Sequence, residues 1–412
     1  MLKHLRSLFG GKSPSPTEPR EIFAAEVAQI LGSRPDVKDV KRVPGAFAFD
    51  VMASGVQSRL FLDNAFAETR EMSPEDRRER IEVFFAAVGA QVTTETWEEA
   101  SATFVPVLRG ATYSMEVWAH NPALGLVRRP FLPHIDVVVA MDRPTSISFV
   151  TRSAVEGWGV EEREVFERAA SRAPLLANPS LELYDDTHGP LWIVTSNDSY
   201  ESARLLVPGW LASLRGRIEG NPIAIIPERG TLMVGGDARP GMVERLLDKA
   251  DREFTASSRR LSPAIYTVDA GGTVVPFGLP AGEALASKVK IAHEKLALYE
   301  HREQKDALER ALEKRGLDVF VADYQVFEAR EGELPRSRCV WTKGAHSYLP
   351  RTERVMLVVL DEKTGKLRTT VETSFDTILT RLTVVPDLHP ARYETTGEYP
   401  SDEDLRSLAP GR

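Results

Sequence analysis

Gly220-Asn221-Pro222-Ile223-Ala224-Ile225-Ile226-Pro227-Glu228-Arg229-Gly230-Thr231-Leu232-Met233-Val234 holds two apolar runs separated by a turn. Residues 223–226 and 231–234 read as paired strands, and Glu228 to Gly230 supply the reversal. The pattern recurs downstream, where 264–268 and 273–277 flank Asp269-Ala270-Gly271-Gly272. Hairpins of this kind, interspersed with helical segments, favour an α+β fold over a doubly wound parallel sheet, which alternates single strands with single helices.

Around these hairpins the other elements fall into place. Ile22, Phe23, Val27, Ile30 and Leu31 recur at helical spacing over 21–31, and strand-like runs follow at 46–52 and 57–62. Ser73-Pro74-Glu75-Asp76 opens a helix: a serine cap, a proline in the first turn and acids at the positive end of the dipole. That helix is expected to run to Val88. Strands are expected at 104–108, 135–140, 146–150, 181–184 and 191–195, and helices at 160–170, 200–214 and 240–256. Residues 282–315 give the longest helical pattern. Its stripe of Leu285, Val289, Ala292, Leu296 and Tyr299 lapses over 301–306, so the segment reads as a solvent-bridging connector closed by Gly316. Strand signals at 318–328, 338–341, 355–360 and 366–371 make the remainder β-rich, and Ser401 with Asp404 caps a final helix. The expected organisation is a tail and linker over 1–19, a core over 20–281 with an internal subdivision near 120–130, the connector helix, and a smaller β-rich module over 316–412.

Composition bounds the function. A chain of 412 residues with 42% hydrophobic and 27% charged residues has ample core for more than one domain. A net charge of −8 argues against general nucleic-acid binding, which needs concentrated basic surface. The one cysteine, Cys339, rules out an intrachain disulfide and cysteine-rich metal sites, and the chain reads as cytoplasmic. The longest apolar run is interrupted by Asp136, so no transmembrane segment is expected. Residues 1–9 form a short basic amphipathic segment, open to two readings: a frayed helical tail, or contact with a membrane surface.

Several ordered motifs carry a family resemblance: Phe61-Leu62-Asp63-Asn64 before the Ser73-Pro74-Glu75-Asp76-Arg77 helix start; Val105-Pro106-Val107-Leu108-Arg109; the strands that lead into Trp158-Gly159-Val160; Asp198-Ser199-Tyr200-Glu201-Ser202-Ala203-Arg204; and the Gly220 to Leu232 run. Over its central region, roughly 56–277, the chain resembles the YtpQ-like family (UPF0354, domain of unknown function 1444). The resemblance implies no activity, because the family has none assigned. It departs at Gly230, where the family hairpin often carries an aspartate, and at Arg172-Ala173-Pro174, which stands in place of Asn-Leu.

The sequence offers no catalytic signature. His293 and His301 are eight apart on a charge-rich helix rather than the four of a zinc protease, and a solvated face is the plainer reading. The glycines at 235–236 and 271–272 lack phosphate-loop company and read as turn residues. Cys339 reads as a buried structural thiol. No metal or cofactor is expected. The most informative polar residues stand at element ends: Asp63, Asn64, Arg109, Asp198, Tyr200, Arg204 and Arg229. Helix capping and structural ion pairing compete with ligand binding for them. A second set, Trp341, Lys343, His346 and Tyr348, offers an aromatic and basic surface for a partner, against ordinary packing. The leading expectation is a non-catalytic binding or adaptor protein with a protein partner, with self-association also open. The alternatives are an enzyme with a pocket of Asp63, Arg109, Asp198 and Arg229, and a membrane-surface protein held by residues 1–9.

Overall fold

The computed structural model describes residues 18–43, 47–53, 56–85, 95–143, 146–173, 179–185, 189–196, 200–239, 241–327, 333–361, 366–395 and 399–408. The described residues fall into two compact units, one from 7–102 with 143–146 and the other from 103–142 with 147–412. The fold is α+β, with several small sheets and helices packed on them.

In the first unit, helix α1 (Glu18–Gly32) is followed by the antiparallel sheet β1 (Val37–Arg42), β2 (Ala48–Ala53) and β3 (Val56–Phe61). The helical spacing of Phe23, Val27, Ile30 and Leu31 and the strand alternation of Phe49, Val51 and Ala53 direct both sets into one core, joined by Leu62 and Ile81. Helix α2 (Asp63–Thr69) precedes α3 (Pro74–Phe84), which starts as expected: Ser73 Oγ accepts the Asp76 N–H at 3.2 Å. The expected extension of α3 from 86 to 88 lies outside the described residues.

The second unit contains the elements that build the candidate site. Strand β4 (Phe104–Gly110) pairs antiparallel with β6 (Ile135–Arg143), and β6 pairs with β5 (Arg128–Leu132) on its other side. The apolar side chains of β6 are buried from Ile135 to Met141, with Asp136 buried among them. Six further strands form an antiparallel sheet: β7 (Ser180–Asp185), β8 (Leu191–Thr195), β9 (Pro222–Ile225), β10 (Met233–Gly236), β11 (Ile265–Val268) and β12 (Val274–Pro276). The two hairpins expected from sequence are β9–β10, with Ala224 opposite Val234, and β11–β12, with Thr267 opposite Val275. Helix α4 (Met242–Ala256) lays Met242, Leu246 and Leu247 on this sheet against Ile223, Ile225, Met233 and Ile265.

Two expectations are corrected. The helix expected over 200–214 is a 3-10 turn at Glu201–Leu206 and a single α-turn at Trp210–Ser213. Between them Pro208 lacks an N–H, and Gly209 takes a φ of +71°, which breaks the helical ladder. The long helix α5 (Ala286–Lys314) buries one face of its polar middle, while Arg302, Glu303 and Asp306 stay exposed. Glu300, His301 and Gln304 are 3%, 2% and 0% exposed. A polar stretch satisfied by partners inside the protein carries no hydrophobic stripe, so the periodicity faded where burial was deepest.

After α5 come two four-stranded sheets. One holds β13 (Phe320–Val321), β16 (Ser347–Pro350), β20 (Arg392–Thr395) and β19 (Leu382–Val384); the other holds β14 (Gln325–Phe327), β15 (Arg336–Thr342), β17 (Arg354–Leu360) and β18 (Leu367–Ser374). Both include a parallel pair, β13 with β16 and β15 with β17. Arg392 is fully buried where β20 meets α5. Its guanidinium donates to Gln304 Oε1 and to the carbonyls of Ala322, Tyr348 and His301. Among the described residues no helix is long and apolar enough to cross a membrane.

Candidate functional site

Strand β4 ends in Arg109-Gly110, and the chain turns through residues 111–114, closed by the Tyr113 N–H on Gly110 O at 2.9 Å. The turn sets Tyr113 beside the strand end, where the Arg109 guanidinium lies 5.3 Å from its ring centroid and 5.2 Å from that of Phe149. Arg229 arrives from the β9–β10 connection and places its guanidinium 4.5 Å from the same Tyr113 ring. The connection holds Arg229 by its backbone: its N–H donates to Arg259 O, and Ser202 Oγ donates to Arg229 O at 2.8 Å. Two arginines separated widely in sequence therefore share one phenol ring.

Burial dominates the electrostatics of this trio. Burial, and then the neighbouring Arg229 charge, lower Arg109 to about 10. Burial also lowers Arg229, with Arg259 opposing its charge and Tyr113 and Glu228 favouring it. Arg109 Nη1 donates to Leu108 O at 2.7 Å. Among the described residues neither arginine is in an ion pair, and the Nε of each has no hydrogen-bond partner. The adjacent carboxylate of Glu228 is engaged locally, accepting the Gly230 N–H and the Thr231 hydroxyl at 2.9 Å each. The turn thus takes its carboxylate from Glu228. Half-buried guanidinium groups against aromatic faces, with no ion pair among the described residues and the Nε of each unpartnered, are suited to an anionic group.

The turn is gripped from two sides. Glu300, from α5, accepts both the N–H and the Oγ–H of Thr112 on Oε2 at 2.7 Å each. Arg128, from β5, donates to Ala111 O and to Tyr113 O, the latter at 2.7 Å, and pairs with Asp136 at 3.3 Å. A Cβ at Gly110 would collide with the Glu300 carboxylate, so the bare glycine admits that side chain. Burial raises Glu300 to about 7, against the pull of its two Thr112 hydrogen bonds. Burial likewise raises Asp136, while Arg128 and His389 favour its charge. The nearby imidazoles are kept neutral by burial, His134 at about 4 and His301 well below its ordinary value. His301 stacks on Tyr324 at 4.8 Å and meets His134 edge-on at 5.4 Å.

Of the remaining expected site residues, Tyr200 lies in the core against which Tyr113 and Phe149 pack, while Asp63, Asn64 and the second expected set lie elsewhere. Asp63 and Asn64 begin α2 in the other unit, after a cap position held by Leu62; their side chains, like Asp198, lie outside the described residues. Tyr200 is buried with Val107, Val138 and Ala203 in the core beneath β4. Arg204 is buried on the 3-10 turn. Of the pocket expected from Asp63, Arg109, Asp198 and Arg229, the described side chains bring together Arg109 and Arg229. Trp341 is 2% exposed, edge-on to Tyr399 at 5.6 Å, so it packs inside the protein and not on a partner surface. Lys343 is exposed 5.9 Å from the Tyr399 ring. His346 is paired with Glu394 at 2.6 Å beside Tyr348. His293 and His301 are enclosed rather than solvated: His293 Nε2 bonds Phe277 O, and no group of three or more metal-ligating side chains is assembled among the described residues. Cys339 is buried, its thiol pushed up to about 12. Sequence reasoning missed Tyr113, Phe149, Arg128 and Glu300. The available signal was the Arg-Gly pair at the end of an apolar strand, with a tyrosine four residues after the arginine.

These features define an α+β protein with two arginines on one tyrosine and, among the described residues, no ion pair to either. Among known proteins the chain is similar to UPF0354 proteins. It is 23% identical over 155 residues to those of Bacillus cereus strain AH187 and Bacillus thuringiensis subsp. konkukian, and 22% identical to that of Bacillus anthracis. The match covers 37% of this chain and spans about half (55%) of the relatives' own length. No family model matches the chain, and no solved structure does so.

Proposed function

We propose that this chain acts as a non-catalytic binding or adaptor protein and that Arg109, Tyr113 and Arg229 form its recognition element for an anionic group on the partner. The observation that supports this is the shared Tyr113 ring, with the two guanidinium groups 5.3 and 4.5 Å away and no ion pair to either among the described residues. Positive charge held together at a cost in solvation and mutual repulsion is stabilised when an anion arrives. The carboxylate beside the site, Glu228, is already spent on the Gly230–Thr231 turn, which favours binding over acid–base chemistry.

Isothermal titration with sulfate tests the reading. The wild type should bind, and Arg109→Gln or Arg229→Gln should each weaken binding about ten-fold, the weight of a charge-assisted hydrogen bond. Wild-type affinity retained in both variants would contradict it.

A further inference from the structure

The turn that presents Tyr113 has contacts beyond those that binding alone requires. Resting on the reading of Arg109–Tyr113–Arg229 as an anion site, we infer that Glu300 and Arg128 form a two-sided clamp on residues 111–113, and that ionisation of Glu300 sets the affinity of that site. Glu300 carries the clamp on one side, through two hydrogen bonds to Thr112, the residue directly before Tyr113. Arg128 carries it on the other, through the carbonyls of Ala111 and Tyr113. Together they bind the turn on its N–H, hydroxyl and carbonyl groups, leaving the Tyr113 ring to face the arginines.

The chemistry gives the clamp two states. The ionised carboxylate accepts both Thr112 donors as charge-assisted bonds, roughly twice as strong as neutral ones. The neutral acid accepts them weakly and carries a proton of its own to place in a buried site. The change falls near neutral pH because burial lifts this carboxyl to about 7. The other groups facing Glu300 are Glu303 and Tyr299 on its own helix, Asp136 on β6 and Arg128 on β5. Asp136 also faces His389, whose charge favours the ionised carboxylate. Glu300 acts on the site through the turn it holds, since its two bonds fall on Thr112, directly before Tyr113.

The test is sulfate affinity of the full chain from about pH 6 to pH 8, since sulfate keeps its charge across that range while Glu300 does not. Wild-type affinity should fall about five-fold as pH drops through about 7. Glu300→Gln, which holds the neutral shape, should bind weakly with no pH dependence. Thr112→Val keeps the side-chain shape and removes one donor, so the midpoint should move to higher pH. Glu300→Gln with wild-type affinity and pH profile, or an unmoved midpoint in Thr112→Val, would overturn the clamp while leaving the anion site standing. Sulfate binding that is absent from the wild type, or indifferent to Arg229→Gln, would overturn the site reading and the clamp with it.

Discussion

Glu300 and Thr112, 188 positions apart, are joined by two hydrogen bonds of 2.7 Å to the same carboxylate oxygen. This one contact ties the buried middle of the longest helix to the turn that carries Tyr113. One turn further on, the same buried face of the helix takes a second polar partner, Arg392 on Gln304.

The raised Glu300 value has a definite sign for stability. Its folded value, about 7, lies above its ordinary value of 4.5, so the folded state holds a proton that the unfolded chain releases between those limits. The Glu300 contribution is therefore present below about pH 4.5 and lost as pH rises through about 7. Glu300→Gln should gain stability relative to wild type between pH 4.5 and pH 8, by up to roughly 3 kcal/mol. Urea unfolding of both proteins at the two pH values measures this; a pH-independent difference would contradict it. The variant is thus expected to be more stable at pH 8 yet to bind sulfate less well, which no general folding defect produces.

Gly110→Ala should destabilise the protein by about 1–3 kcal/mol, since the added methyl meets the Glu300 carboxylate, which is buried and held by Thr112. Alanine is well tolerated in an open strand, so an unchanged urea midpoint would show that the close approach of Gly110 and Glu300 is absent in solution.

Arg392 donates to four acceptors while fully buried, and lysine cannot reproduce that fork. Arg392→Lys should cost roughly 3 kcal/mol, nearly as much as Arg392→Ala, because both leave buried carbonyls unpaired. Thermal unfolding would decide the matter: a melting point near wild type for the lysine variant refutes the geometric argument.

Cys339 should resist a thiol reagent in the native protein and react fully once unfolded. Its thiol is enclosed, receives the Thr352 hydroxyl at 3.3 Å, and is raised to about 12 by burial. Rapid modification of the folded chain would place it at the surface.

The sequence made some of this legible and hid the rest for physical reasons. The Ser73 cap, the β9–β10 hairpin and the Gly316 helix stop, with its φ of +67°, are local features written in adjacent residues. Arg109 and Arg229 were visible because each stands where an apolar strand gives way to a turn. What they meet was not visible: Tyr113 comes to Arg229 through tertiary folding, and nothing local distinguishes it from a packing tyrosine. The polar middle of α5 misled for a related reason. Charge-rich helical sequence reads as solvated unless its partners, here Thr112 and Arg392, are known. Trp341 looked like a surface anchor because its neighbours Lys343 and His346 are polar, yet it lies on the inward side of β15.

The proposed anion lies between two guanidinium groups, and selenate can find that spot, having the shape and charge of sulfate with a strong anomalous signal. Crystals of the full chain soaked in selenate should show an anomalous peak within hydrogen-bonding distance of both Arg109 and Arg229, beside the Tyr113 ring. A vacant space there, with selenate bound at other arginines, would contradict the account.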